Sequence, residues 1–459
     1  MTDTIAVFSP YDGSEVGRVP KHEVADVDRA VKTAAAAHAR GPLPPWRRAE
    51  ILDQAARLLT ERQDQFARTI AAEAAKPLKT ARIEAARAAS TFTFAAVAAR
   101  TLAGDVVPVD TAAVGEGKLA FTLRVPVGVV GAISPFNFPL NLVAHKVAPA
   151  IAAGCPVVLK PASQTPLSAI ALAGLLHDEC GLPADQLQVV TGPGGTVGQA
   201  LVEHPDVAYL SFTGSGEVGW DLRVKAGRKK VALELGNNSP VIIEADADWD
   251  RAAHTISVAG FSHAGQSCVS TQRVYVHAEV VDDFCATLGK LVADLVVGDP
   301  MDESTDVSAL ITPDERDRVK AWIDEAVASG AEVVTGGDVD GGLLRPTVLR
   351  NVSPDMRVCR DEVFGPVVAV QTYDRLDDAL HLADDSRYGL QAGIFTSSLP
   401  TALRAARELH YGTVLVNEVP TWRADQMPYG GVRASGNTKE GPAYAAREMT
   451  EERLIVIGP

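Results

Sequence analysis

The rhythm of apolar and polar positions changes along this chain, and each rhythm predicts a different kind of element. Residues 24–100 are rich in Ala, Arg, Glu and Leu, and Ile51, Ala55, Leu58 and Leu59 recur at helical spacing, which predicts helices. Pro44 and Pro45 stand where a helix start tolerates proline. Residues 106–109 and 119–125 read instead as two strands around a turn at Gly115-Glu116-Gly117. From 127 to 235 apolar strand-like runs (127–133, 156–159, 188–191, 207–213 and 230–235) alternate with helical stretches at 165–179, 196–203 and 217–225. That alternation means βαβ units and a parallel sheet. It resumes over about 240–416, and residues 454–457 form a last strand. No internal repeat or low-complexity linker interrupts the pattern.

Length and composition narrow this to a globular α/β protein. A chain of 459 residues exceeds one simple core, so two or three domains are expected. The formal net charge of -15 argues against nucleic-acid binding, and Arg228-Lys229-Lys230 is too short a basic run to reverse that. Residues 126–144 carry no charge, but Pro126, Pro135, Pro139, Asn137 and Asn141 make them a strand, loop and helix start and not a membrane span. The five cysteines, Cys155, Cys180, Cys268, Cys285 and Cys359, are scattered, with no CxxC pair and no metal spacing with the histidines. No metal and a reducing compartment, the cytoplasm, are therefore expected. The first ten residues lack the basic patch and apolar stretch of a secretory leader.

Three segments carry the candidate chemistry. Cys268 lies in Gly260-Phe261-Ser262-His263-Ala264-Gly265-Gln266-Ser267-Cys268, Glu234 in Leu233-Glu234-Leu235-Gly236-Asn237-Asn238, and Asn137 in Ser134-Pro135-Phe136-Asn137-Phe138-Pro139. Singly, each has a plain reading: a small buried hydrophobe, a turn carboxylate, a turn former. Together they supply a thiol nucleophile, a base and an oxyanion donor. In this order and spacing they resemble the NAD(P)-dependent aldehyde dehydrogenase superfamily over nearly the whole chain.

The resemblance implies an aldehyde dehydrogenase-like α/β fold with a Rossmann-like cofactor domain (1–103 and 126–235), a catalytic domain (236–435), and a β-hairpin oligomerisation arm with the C-terminal strand (104–125 and 436–459). The final strand is similar to an element of a neighbouring subunit's sheet, and a homodimer or homotetramer is implied. Cys268 would attack an aldehyde to give a thiohemiacetal and then a thioester. Its own N–H and Asn137 would bind the oxyanion, and Glu234 would be the base. NAD or NADP would lie against Ile133, Ser134, Pro135 and Phe136. Lys160, Ala162 and Ser163 would follow at the adenosine ribose, and Gly192 and Gly198 belong to a glycine turn under the adenine. Phe212, Thr213, Gly214, Ser215 and Val218 would approach the pyrophosphate, and Leu235, Gly236, Glu362 and Phe364 the nicotinamide side. Ser163 stands where NAD-preferring members have Glu, so repulsion of a 2′-phosphate is absent and NADP is tolerated. Gly214-Ser215-Gly216-Glu217-Val218-Gly219 is also a literal GxGxxG, which in a standard Rossmann unit would make Glu234 the ribose ligand; the resemblance directs Glu234 to Cys268 instead.

Polar residues near the motifs (His145, Arg273 and Arg423, with Ser262 and His263 before the cysteine) would suit a small polar or anionic aldehyde, and the pattern resembles the lactaldehyde, non-phosphorylating glyceraldehyde-3-phosphate and phosphonoacetaldehyde branch; equally, His145 and His263 can be structural histidines and Arg273 can pair with an acidic neighbour. A succinate-semialdehyde-type or broad-specificity enzyme is the alternative. From another class, a cofactor-independent cysteine hydrolase or acyltransferase would use Cys268 with His263. Two departures from the family pattern stand out: Asn237 replaces a glycine next to Glu234, and Asn437-Thr438 replaces a small or aromatic pair.

Overall fold

The computed structural model describes residues 3–459; Met1 and Thr2, the start of the stretch read as having no leader, lie outside the described residues. The first parallel sheet has the order Leu187–Val189, Val157–Lys160, Val129–Ile133, Val207–Thr213, Lys230–Glu234. Val129–Ile133 is buried at every position because helices cover both faces, which is why it reads as an unbroken apolar run. One face packs on the alanine-rich helices Pro45–Glu61, Leu78–Thr101 and Asn141–Ala153, and the other on Val24–Ala39. The chain leaves the central strand Val129–Ile133 first to one side and then, through Val207–Thr213, to the other. The order therefore reverses between these two strands, and a crevice opens beyond their carboxyl ends. The loops that carry Asn137 and Gly214-Ser215 leave from those ends.

The second sheet has seven strands in the order Glu332–Thr335, Thr347–Arg350, Val367–Tyr373, Thr271–His277, Ser239–Ile243, Gln391–Phe395, Thr413–Val416. All neighbours are parallel except the edge strand Glu332–Thr335. Helices Trp249–Ala259, Val281–Ala293 and Pro313–Ala328 cover one face, and Leu376–Asp384 and Leu399–Glu408 the other. Among the described residues no helix is long and apolar enough to cross a membrane.

Several sequence expectations change. An N-terminal hairpin, Thr4–Phe8 with Glu15–Pro20, precedes the helices. The helix expected at 196–203 is a π-turn, Gly194–Gly198, followed by the single turn Gln199–Glu203, because three glycines weaken it at the start. In the arm only Val106–Val107 pairs with Leu119–Pro126, with 3₁₀ turns between them. The final strand, Thr450–Ile457, pairs antiparallel along all of Leu119–Pro126, from Thr450 opposite Pro126 to Ile457 opposite Leu119. Within this chain it completes the arm sheet as an edge strand, paired on one side only.

Arg273 requires a correction of a different kind. It lies on Thr271–His277 and is 2% exposed. Its Nε donates to Asn238 O (3.0 Å), Nη1 to Tyr275 Oη (3.0 Å) and Leu382 O (3.1 Å), and Nη2 to Ala383 O (3.1 Å) and Tyr411 Oη (3.0 Å). All five donors are thus occupied, so Arg273 ties the sheet to the helix Leu376–Asp384 and has no donor left for a substrate. Replacement by Met is expected to cost about 3 kcal/mol in urea unfolding, because it orphans buried carbonyls. The rate at which iodoacetamide alkylates Cys268 should stay unchanged.

Candidate active site

Cys268 is set by a tight loop. The 3₁₀ turn Ser262–Gly265 follows the helix Trp249–Ala259, with His263 and Ala264 at φ of 51° and 53°. Gly265, at φ 70°, passes so close to the next loop that a Cβ would stand 2.1 Å from Gly365 O; only glycine fits there. Gln266 then anchors the loop, accepting from Ile311 N at 2.8 Å. The same loop is joined to the Asn137 loop, since Asn137 Nδ2 donates to Gln266 O at 2.8 Å. One proton of that amide remains free, and its Oδ1 has no partner among the described residues.

The Asn137 loop has a buried ionic brace that sequence reading missed. Lys76 donates to the Glu84 carboxylate and to Asn137 O (2.6 Å), with its ammonium 3.7 Å from the centre of the Phe138 ring. Glu84 Oε1 accepts from Leu140 N (2.9 Å) and Asn141 N (3.1 Å) at the start of the helix Asn141–Ala153. Both side chains are buried. The available signal was a Lys and a Glu within alanine-rich sequence, Glu84 on the helix Leu78–Thr101 and Lys76 in the short link before it.

Two cavities meet at the sulfur of Cys268 and share Leu142, Thr213 and Leu235 as common walls. One is a small cavity of about 190 Å³, containing Glu234, Glu440, Arg87, Arg423, Ser262, His263, Thr80 and Thr421 among apolar walls. Glu234, at the end of Lys230–Glu234, is 4% exposed, and neither carboxylate oxygen has a hydrogen-bond partner among the described residues. Burial first, and the adjacent Glu440 charge second, push its carboxyl well above the usual range. Burial also opposes ionisation of Glu440, but Arg423, His145 and Lys146 outweigh it and hold its carboxyl below that range. Arg423 donates to Glu440 at 3.0 Å and lies 3.8 Å over the Tyr429 ring. Lys146 donates to Thr213 Oγ1 (2.7 Å) and Ser211 Oγ (3.1 Å), and burial lowers its pKa against the pull of Glu440 and Glu234. Sequence reading did not select Glu440, Lys146 or Tyr429. Only Lys146 left a signal, as a lysine in a helix whose every residue is buried.

The expected substrate residues separate here. Arg423 lines the cavity, but His145 does not. Its ring is taken up by Thr91 Oγ1 (3.2 Å) and Asp425 (3.3 Å), and burial followed by Arg423 lowers its pKa. His145 thus backs Arg423 from behind. His263 does line the cavity, and both its nitrogens lack partners among the described residues. The thiol's own hydrogen bond is to Tyr429 Oη at 3.0 Å, so no Cys–His pair of the hydrolase kind is formed. Asn237 turns away from Glu234: its side chain donates to Ser239 Oγ (2.8 Å) and Gln391 O (3.2 Å). Asn437 grips the edge of the Glu234 strand, accepting from Leu233 N (2.8 Å) and donating to Val231 O (3.0 Å).

The second cavity is a cleft lined by Pro135, Phe136, Asn137, Ala162, Thr213, Gly214, Ser215, Leu235, Gly236, Glu362 and Phe364, with Gln164, Thr312, Glu315 and Arg318 added by the fold. Its features fit a dinucleotide. Ser215 heads the helix Gly216–Lys225 without a side-chain cap, which leaves first-turn N–H groups facing the cleft as an anion site. A Cβ on Gly236 would meet Glu362 Oε2 at 2.1 Å, so the backbone passes directly under that carboxylate. Glu362 Oε1 accepts from Asn237 N at 2.9 Å, and burial raises its carboxyl to about 7. Phe364, at φ 47°, meets Phe136 edge to face at 5.9 Å. Lys160 Nζ donates only to Pro161 O (3.0 Å) among the described residues, and burial lowers its pKa to about 8. Ser163 is exposed and donates to Gly192 O at 2.9 Å. Gly198 lies against the Lys160 stem. Ile133, Ser134 and Phe212 are buried and do not line the cleft, and Val218 is exposed on the helix's first turn.

Comparison with known proteins agrees with this geometry. Residues 1–455 match the Aldehyde dehydrogenase family. The chain is 48% identical over 455 residues to a 3-sulfolactaldehyde dehydrogenase of Priestia aryabhattai, covering 99% of this chain and 95% of that one. It is 38% identical to a lactaldehyde dehydrogenase of Methanococcus vannielii, covering 100% and 98%. The crystal structure of glyceraldehyde-3-phosphate dehydrogenase GapN from Methanocaldococcus jannaschii complexed with NADP superimposes with a TM-score of 0.95 at 36% identity, covering 100% of both chains. The α/β architecture, the thiol at the meeting of two cavities and these matches together establish that the chain belongs to the aldehyde dehydrogenase family.

Proposed function

We propose that this chain oxidises a small polar or anionic aldehyde to its carboxylic acid, with NAD or NADP as electron acceptor, through a thioester on Cys268. The observation that carries this reading is Cys268 at the junction of the cavity that holds Glu234 and the cleft lined by Gly214, Ser215 and Glu362, with the Asn137 amide tied to its loop. The thiol gives up its proton and attacks the carbonyl carbon, forming a C–S bond. The carbonyl oxygen takes the charge and accepts from the free Asn137 amide proton and from the Cys268 N–H. When bound in the cleft, a nicotinamide would accept the hydride that leaves that carbon, and a thioester on Cys268 would remain. Glu234 then takes a proton from water as the water oxygen attacks the thioester carbon, the C–S bond breaks and the acid departs.

Ser215, Lys160 and Glu362 would hold the dinucleotide at its phosphates and riboses. Ser163 carries no charge to repel a 2′-phosphate, which supports use of NADP as well as NAD. Arg87, Arg423, His263 and Ser262 in the Cys268 cavity favour an aldehyde with a polar or anionic tail. The names of the sulfolactaldehyde and lactaldehyde relatives support the same class. We also assign residues 1–103 and 126–235 to cofactor binding, 236–435 to catalysis, and the three-stranded arm sheet to contact with a second copy in a homodimer or homotetramer. Exposed Val106, Leu119, Leu123, Leu454 and Val456 on that sheet support the last assignment. Five free thiols fit a reducing cytoplasm.

The direct test is reduced-nicotinamide absorbance with NAD and with NADP over 3-sulfolactaldehyde, lactaldehyde, phosphonoacetaldehyde, succinate semialdehyde and hexanal. A small polar aldehyde should give the highest kcat/KM, and a clear preference for hexanal would overturn the substrate class. Cys268→Ala should lose about 10³-fold or more in kcat while still binding NADP, and Asn137→Ala about 10²- to 10³-fold.

Cofactor affinity should depend on pH through Glu362. Its raised pKa, about 7, means that the accepting carboxylate forms only as pH rises through that value. NAD should therefore bind more tightly at pH 7 than at pH 5.5, a span below the value of about 8 at which Lys160 loses its charge, and Glu362→Gln should flatten that dependence in fluorescence titrations.

A further inference from the structure

The geometry at the sulfur points to a residue beyond the nucleophile, base and oxyanion amide. We propose that the phenolic O–H of Tyr429, with Arg423 seated on its ring, is the donor that stabilises the Cys268 thiolate, both when the thiol ionises and when the sulfur leaves the thioester. The inference rests on Cys268 being the nucleophile.

Tyr429 is 3% exposed, and its hydroxyl has one hydrogen-bond partner among the described residues, Cys268 Sγ at 3.0 Å. The ring is fixed in place. Tyr429 N donates to Met427 O (2.9 Å) and Glu440 O (3.1 Å), and the side chain packs with Val269, Leu390 and Met427. Arg423 covers one face at 3.8 Å, and Glu440 in turn holds Arg423. A cation on a phenol ring draws electron density from it and strengthens its O–H as a donor.

The direction of the hydrogen bond makes the contact selective. With a neutral thiol either group can donate. With a thiolate only the phenol can, and the bond becomes charge-assisted and stronger. Ionisation breaks the S–H bond and sends that proton out through the cavity, while the Tyr429 O–H stays whole. In the later step water's oxygen bonds to the thioester carbon, the C–S electron pair returns to sulfur, and the same O–H receives the thiolate.

Such a donor is needed because the surroundings oppose the anion. Burial raises the thiol to about 12; Glu362, from the loop before Val367–Tyr373, and Glu234, from its strand end, add to that, while Tyr429 and Arg423 work against it. Across the small cavity stand Glu84 and Arg87 from the helix Leu78–Thr101, each already bonded, to Lys76 and Asp425 respectively. Glu440 faces Glu234 and is held by Arg423, Lys146 is held by two hydroxyls, and burial keeps His263 neutral. Burial and then the Cys268 charge push the phenol's own pKa well above its usual value, so it remains a donor throughout.

The test is the pH dependence of Cys268 alkylation by iodoacetamide, located by peptide mass spectrometry, with Cys268→Ser as the blank for the other four thiols. In Tyr429→Phe the plot of log rate against pH should shift by about one unit, a roughly ten-fold slower reaction at any given pH below the thiol pKa. kcat/KM should fall at neutral pH and recover toward high pH, and NADP affinity should be unchanged. Full substitution of the tyrosines by 3-fluorotyrosine, a more acidic phenol that leaves the packing intact, should shift the plot the opposite way. Superimposable plots for wild type, Tyr429→Phe and the fluorinated protein would overturn the proposal. If Cys268→Ala is inactive yet the plots coincide, only the tyrosine's role is lost. If Cys268→Ala retains activity, the nucleophile assignment is lost and this inference goes with it.

Discussion

The structure depends on the chain's return past the end of the Glu234 strand. Residues 429–440 come back from the seven-stranded sheet and lie against the five-stranded one, with bridges between Glu234 and Gly436 and between Tyr429 and Glu440. Two glycines permit this approach. A Cβ on Gly436, at φ 140°, would stand 2.2 Å from Leu233 O, and one on Gly430, at φ 159°, would stand 2.0 Å from Thr438 O. Backbone contact at that range excludes any side chain. The crossing brings Tyr429 to the thiol and Glu440 to Glu234, and so assembles one site from segments 161 residues apart.

That assembly concentrates charge where water is scarce. An unpaired ion in such a place costs several kcal/mol, so each group either finds a partner or gives up its charge. Glu440 keeps its charge by holding Arg423, and Asp425 does so through Arg87 and His145, which outweigh its burial. Glu234 has no such partner among the described residues, and burial followed by the Glu440 charge holds its carboxyl well above the usual range. An acid poised in this way beside a thiol suits a group that must take up and release a proton within one reaction cycle.

The Lys76–Glu84 pair shows a different use of buried charge. Such a pair contributes little net stability compared with well-packed apolar residues. Here its value is positional. Lys76 fixes the Asn137 carbonyl and Glu84 fixes the amides of Leu140 and Asn141 at the helix start, so the Asn137 side chain emerges from a loop held at both ends. The switch point of the first sheet provides the crevice, and this brace and the Gln266 contact set the amide within it.

The sequence by itself determined the alternation of strands and helices, the parallel sheets that follow from it, and the segments around Cys268, Glu234 and Asn137. These are local properties: hydrophobic period, glycine in tight turns, and residue types that a covalent reaction requires. The tertiary structure alone decided which face each side chain presents. Arg273, five positions after the cysteine, bonds into the helix behind its strand, because successive strand residues point to opposite faces. His145 faces Asp425 and not the cavity, since helix packing set its direction. Tyr429, Glu440, Lys76 and Glu84 carried no motif the reading had used, and their roles arise only when distant segments close on one another. Such contacts are fixed by packing and loop closure over long stretches of chain, to which no local period corresponds.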